Sequence, residues 1–235
     1  MLELEARPTS VGIDPRRTAV LVIDMQNDFG SPGGMFERAG IDISGIAAAV
    51  EATRPVLSVA RAAGIPVVYL KMEHAPDLSD VGPSDGPHWI KHMPLRVGEE
   101  IVAPDGSPGR ILVRGTWNTE IVDALAPEPG DHVVSKHRYS AFFETELHEL
   151  LQSLGARYLL VTGCTTSVCV ESTVRDAMFR DYSCVVLEDC TAEPIAGDLE
   201  RTNHAATLLT IELLFGWVSN ARVVCDALAR QAELV

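Results

Sequence analysis

Short continuous apolar runs alternate along this chain with longer segments of helical spacing. Residues 18–24 (TAVLVID) are rich in Val, Leu and Ile and end on a carboxylate, as a strand buried on both faces does. Residues 46–63 repeat their apolar positions at helical intervals and stop at Gly64, after which residues 66–70 (PVVYL) predict a second strand. That is a βαβ unit. From 73 to 108 the pattern dissolves into Pro, Gly, His and Asp, an irregular stretch of a length that compact domains keep for a function, and we read it as a substrate-site cover. Alternation then resumes. Residues 132–135 (HVVS) predict a strand, 144–154 a helix stopped by Gly155, 158–162 (YLLVT) a strand, 167–180 a helix and 183–187 (SCVVL) a strand. Residues 199–214 predict a helix with an apolar stripe of Ala205, Leu208, Leu209 and Leu213. A closing strand at 216–219 and a helix at 221–230 complete the series.

Strands alternating with helices imply an α/β fold in which a parallel sheet is covered on both faces by right-handed crossovers. No linker, repeat or low-complexity tract divides the 235 residues, so one domain is expected. Ligands of such sheets bind outside the carboxyl ends of the strands. Three groups stand there: Asp24 ending the first strand, Lys136 just after HVVS, and the loop from Gly163 to Cys169 after YLLVT.

Composition narrows the partners. A net charge of -14 argues against a nucleic-acid partner, which needs clustered Lys and Arg, and leaves any anionic substrate to be caught by local groups. The start of the chain, with Glu3 and Glu5, lacks the layout of a signal peptide, and no apolar run is long enough to span a bilayer, so a cytoplasmic protein with no membrane contact is expected. Five cysteines in a reducing compartment make a disulfide framework a poor explanation. Cys184 and Cys225 read as small buried residues, and Cys190 as either that or a loop thiol near the site.

Cys169 is different, because a strand-to-helix loop places it in a helix's first turn, where the dipole and a nearby ammonium lower a thiol's pKa. A carboxylate nearby could take the thiol proton and pass it to a leaving amine. Asp24, Lys136 and Cys169 thus supply a base, a cation and a nucleophile, and the loop's free N–H groups could bind an oxyanion. Each also has an ordinary reading as a cap, a solvated lysine or a buried thiol.

The segments VLVIDMQNDF, KHRYSAFFETELHELL and VTGCTTSVCVESTVRDA, which carry Asp24, Lys136 and Cys169, resemble the three signature segments of the isochorismatase-like cysteine hydrolases in composition, order and spacing. The resemblance runs from about Arg17 to Asn220. It implies a Rossmann-like three-layer sandwich around a six-stranded parallel sheet, a Cys-Asp-Lys triad, attack of the thiolate on an amide, and hydrolysis of the acyl-enzyme by water. It also implies a cis peptide between Cys164 and Thr165, an oxyanion hole formed by the N–H groups of Thr165 and Cys169, and assembly as dimers or tetramers, for which the apolar segment 208–218 could supply an interface. Motifs such as CVEST, VVLED and FGWVS are similar to the ureidoacrylate-cleaving branch, which points to a small ureido or carbamoyl amide as substrate. The segments at 73–78 and 109–112 look more like biuret hydrolases.

Nicotinamidases usually carry an Asp-x-His metal motif after the second strand, where this chain has Lys71, Met72, Glu73 and His74, so neither cofactor nor catalytic metal is expected. His88 and His92, four apart, read as a chance pair in a Pro-rich loop without a third ligand. True isochorismatases lack the nucleophilic cysteine. Asn27, Phe29, Trp117, Asn118 and Tyr139 lie in or beside the motif loops and are candidate substrate contacts, with ordinary packing as the alternative. A substrate carboxylate would call for Arg201, Arg138, Lys91 or Lys71. Two other classes stay open: a catalytically dead scaffold, and a redox-sensing thiol protein using Cys164 and Cys169.

Overall fold

Each of the six apolar runs becomes a strand, and the six join in one parallel sheet. The structure is a computed structural model describing residues 1–232. The strands are β1 (Thr18–Ile23), β2 (Val67–Met72), β3 (His132–Lys136), β4 (Tyr158–Cys164), β5 (Ser183–Ala192) and β6 (Gly216–Ser219). Their spatial order is β6-β5-β4-β1-β2-β3, with every neighbouring pair parallel. The order therefore reverses between β1 and β4, the switch point of a doubly wound sheet.

The side-chain period of two sorts β1 between two cores. Val20 and Val22 face one cluster with Ile46, Val56 and Leu57 of α1 (Ser44–Ala62) and with Val224 and Leu228 of α6 (Ala221–Ala232). Ala19, Leu21 and Ile23 face the other. There they meet Leu147 and Leu151 of α3 (Leu147–Ser153), Val174 of α4 (Glu171–Met178), and Leu208 and Ile211 of α5 (Asn203–Leu214). Both faces of every central strand are thus dry, which explains why these strands read as unbroken apolar runs. Each fully buried Leu or Ile contributes about 1.5–3 kcal/mol.

Several boundaries differ from the sequence reading, each for a local reason. The helix predicted from 199 starts at Asn203, because Thr202 Oγ1 caps it by accepting from Ala205 N at 3.1 Å. The helix predicted from 144 starts at Leu147, since Glu144 takes a left-handed φ of 52° that no helix tolerates. The helix predicted over 167–180 divides into a π turn, Thr166–Val170, followed by α4. The covering segment is less irregular than expected: it holds α2 (Pro87–His92) and an antiparallel pair, Glu100–Val102 with Pro108–Arg110. In the apolar segment 208–218, Leu213 and Leu214 remain 64% and 65% exposed. No described helix is long and apolar enough to cross a membrane.

Candidate active site

Asp24 directly follows β1 at the switch point and holds a left-handed φ of 53°. A non-glycine residue there costs about 1–3 kcal/mol unless its surroundings fix it. They do: its N–H donates to Leu70 O at 2.9 Å, and its carbonyl accepts from Gln26 N at 2.8 Å and from Cys164 Sγ at 3.2 Å. Next door on β4, Gly163 has φ 126°, and a Cβ on it would lie 2.1 Å from Ile23 O. Only glycine lets the loop that carries the cysteine leave so close to the end of β1.

Lys136 ends β3, two strands away, and its long side chain spans the gap. Its Nζ lies 2.8 Å from Asp24 Oδ2 with both side chains sealed from solvent, and donates to Arg138 O at 3.2 Å. Cys169 sits on the π turn, 7% exposed. The structure thus brings the three sequence candidates together. Burial raises the Asp24 carboxyl above its ordinary range, against the pull of Lys136. Burial pulls on Lys136 in the opposite sense, but the adjacent Asp24 and Cys169 outweigh it and hold the ammonium above its usual value.

The thiol differs from the sequence reading. Lys136 does draw its pKa down, but burial pushes it up by more and Asp24 adds to that push, so Cys169 is a raised thiol and not a depressed one. A buried carboxylate next to a neutral thiol is suited to removing its proton as the sulfur attacks. The Cys164–Thr165 peptide is cis, and the N–H of Thr165 enters none of the loop's backbone hydrogen bonds.

A cavity of about 180 Å³ opens onto these groups, with Phe29, Met72, His92 and Tyr139 in its wall beside Asp24 and Cys169. Of the five candidate contacts, Phe29 and Tyr139 line it and Trp117 does not. Both asparagines are engaged elsewhere. Asn27 Nδ2 donates to Trp117 O at 2.8 Å, while its Oδ1 accepts from Ser31 Oγ at 2.7 Å. Asn118 Nδ2 donates to Asp28 Oδ1 at 2.6 Å, while its Oδ1 accepts from Arg110 N at 2.8 Å. Their amides therefore build the frame of the site. Among the described residues no Arg or Lys lines the cavity. Arg138 spends its guanidinium on the carbonyls of Asp80 and His137, Lys71 pairs with Glu73 at 3.4 Å, and Lys91 and Arg201 are exposed. A larger groove, about 500 Å³, is lined by Arg157, Ser183 and Gly216 at the amino ends of the strands, away from this chemistry.

Two features escaped the sequence reading. Asp28 is fully buried and accepts from Met35 N at 3.0 Å, Leu112 N at 2.7 Å and Asn118 Nδ2, tying the first motif to the residues just past the covering segment. Burial pushes its carboxyl up to about 6 although all three partners favour the charged form. The second is a correction. His88 and His92 do not stand alone in a loop: they lie on α2, and His74, just past β2, brings a ring nitrogen within 4.8 Å of theirs. A third imidazole was absent only along the chain; the fold brings the pair on α2 beside His74.

The Isochorismatase domain profile matches residues 18–223. The chain is 43% identical over 216 residues to the ureidoacrylate amidohydrolase RutB of Caulobacter segnis, covering 92% of this chain and 87% of that one. It is 42% identical to RutB of Caulobacter vibrioides, covering 92% and 93%. Among solved structures it resembles a cysteine hydrolase from Pseudomonas syringae pv. phaseolicola, with a TM-score of 0.77 and 30% identity over 93% of this chain and 95% of that one. It also resembles the N-carbamoylsarcosine amidase of Thermoplasma acidophilum, with a TM-score of 0.64 and 26% identity over 87% and 96%. With the profile spanning most of the sequence and the sheet order, switch point and motif placement all in agreement, the chain belongs to the isochorismatase family of hydrolases.

Proposed function

We propose that this protein is an amidohydrolase that cleaves a small ureido or carbamoyl amide by covalent catalysis, with Cys169 as nucleophile, Asp24 as general base and acid, and Lys136 as the fixed cation. The observation that carries the reading is that Asp24 and Cys169, from two strand ends, line one small cavity while Lys136, from a third, pairs with Asp24 behind its wall at 2.8 Å.

The steps follow from the placement. Asp24 takes the thiol proton while Cys169 Sγ forms a bond to the amide carbon, and the carbonyl oxygen gains the negative charge. The N–H groups of Thr165 and Cys169 are the donors assigned to that oxygen. The C–N bond then breaks, Asp24 returns its proton to the departing nitrogen, and a thioester remains. Asp24 next takes a proton from water, whose oxygen attacks the thioester. The S–C bond breaks and the thiol recovers the proton. Ammonia or an amine leaves in the first half; an acid, carbamate where the acyl group is carbamoyl, leaves in the second. Lys136 keeps Asp24 ionised enough to act as base despite its burial.

The RutB relatives support a ureidoacrylate-type substrate. The absence of Arg and Lys from the cavity wall favours a neutral amide such as biuret. Ammonia release from ureidoacrylate, biuret, N-carbamoylsarcosine and nicotinamide, measured beside the Cys169→Ala variant, tests both. Turnover of a ureido compound by the parent alone is the expected result. Equal turnover by Cys169→Ala would remove the mechanism, and silence on the panel would move the scaffold and redox readings forward.

A further inference from the structure

The covering segment and the end of β2 meet at three imidazoles that the proposed chemistry does not use. His74 is fully buried and His92 nearly so, while His88 is half-buried between them and Tyr139. One ring nitrogen of each lies within 4.8 Å of the others.

The proton on two of the rings can be assigned from a hydrogen-bond partner. His92 Nδ1 lies 2.8 Å from His88 O, and a carbonyl can only accept, so Nδ1 carries the hydrogen and Nε2 offers a lone pair. His74 Nδ1 lies 3.0 Å from Asp80 Oδ1, which fixes the same tautomer. The Asp80 side chain is fastened in turn by Ala75 N, which donates to its Oδ2 at 2.9 Å. Nε2 of His74 and Nε2 of His88 are both buried with no protein partner. A buried polar nitrogen left unpaired is costly, and this cluster holds two.

Three imidazoles, one backed by a carboxylate and one by a backbone carbonyl, are the donor set and outer shell of a divalent transition-metal site. We propose that His74, His88 and His92 bind one such ion of the zinc class. Tetrahedral coordination needs nitrogens about 3.3 Å apart, so small side-chain rotations close the site. Carboxylate-free, nitrogen-only ligation selects zinc, cobalt or nickel over magnesium or calcium. His74 hangs from the end of β2, its N–H donating to Leu112 O at 2.8 Å, whereas His88 and His92 belong to the cover. The ion would therefore fasten the cover to the sheet beside the cavity, whose wall includes His92. Three protein ligands also leave a fourth position open, a positive centre in a region whose cavity wall has no Arg or Lys.

The test uses the full chain with Cys169→Ala, so that the thiol cannot compete for metal. After chelator treatment and dialysis, Zn2+ is titrated by competition with a chromophoric chelator. Co2+ is then added and its visible absorption recorded. One ion per chain and the intense bands of tetrahedral Co2+ are expected. His88→Ala should weaken Zn2+ binding at least a hundredfold. Asp80→Asn, which touches no metal, should weaken it roughly tenfold to a hundredfold. Circular dichroism confirms the fold of each variant, and should His88→Ala fail to fold, Asp80→Asn carries the test. Substoichiometric uptake, octahedral Co2+ absorption, or affinity unchanged in Asp80→Asn would overturn the proposal and leave water as the partner of the free nitrogens. Because binding is read without turnover, this result stands apart from the identity of the nucleophile.

Discussion

Lys136 Nζ lies 2.8 Å from Asp24 Oδ2 across two strand spacings, and solvent reaches neither group. A buried pair of this kind gains little over an apolar replacement, but breaking it strands a charge. Lys136→Met should cost about 3–5 kcal/mol in urea unfolding and reduce turnover about a thousandfold or more. Because Lys136 pulls the Cys169 thiol down, its loss should also slow alkylation of that thiol. Unchanged alkylation and unchanged stability would dissolve the assigned role.

The free enzyme's thiol should itself be sluggish. Burial raises Cys169 above the ordinary thiol range of about 8.5, so iodoacetamide at neutral pH should modify it more slowly than free cysteine. The rate should still be climbing where a normal thiol has levelled off. Fast modification at neutral pH would mean that the thiolate already exists before substrate binds.

The meeting of Asp24, Lys136 and Cys169 was legible in the sequence because parallel sheets place their ligand sites at strand carboxyl ends, where each of the three stands. Nothing local reports how deep a loop thiol lies, so the direction of the Cys169 shift could not be read from its neighbours. Asn118 and Asn27 fail for a related reason. Whether an amide faces a ligand or the frame depends on partners such as Asp28, ninety residues from Asn118. The histidine trio required the path of the covering segment, whose Pro- and Gly-rich pattern carries no period to fold by eye.

The acid limb of the rate profile tests Asp24. Its basic form must be present for it to take the thiol proton, and burial raises its pKa, so activity should fall on acidification at a pH above the ordinary carboxylate value of about 4. The three groups interact strongly, so the limb belongs to the triad as a unit. A kcat/KM profile still flat at pH 4, on protein shown to be folded there, would count against Asp24 as the base.

Phe29 forms one wall of the cavity and packs edge-to-face on Phe36 with centroids 5.0 Å apart. Phe29→Ala should cost up to about 3 kcal/mol, below the full core penalty because the ring already borders empty space. It should raise KM by about tenfold or more while changing kcat less. An unchanged KM would place the substrate elsewhere in the cavity.

Gly163 is where fold and site meet most tightly. A methyl group there would lie 2.1 Å from Ile23 O and 2.7 Å from Ile23 N and Cβ, and the residue's φ of 126° is closed to an L side chain in any case. Relief requires β4 to move away from β1, which separates Asp24 from the loop bearing Cys169 because each follows directly from one of the two strands. Gly163→Ala should therefore destabilise by about 3 kcal/mol or more, read as a lower denaturant midpoint. Any folded fraction should turn over far more slowly even at saturating substrate, since a shift of about 1 Å between base and nucleophile costs on the order of a hundredfold in rate. A variant that folds normally and keeps its kcat would show that the close passage of the strands is not what sets the distance between base and thiol.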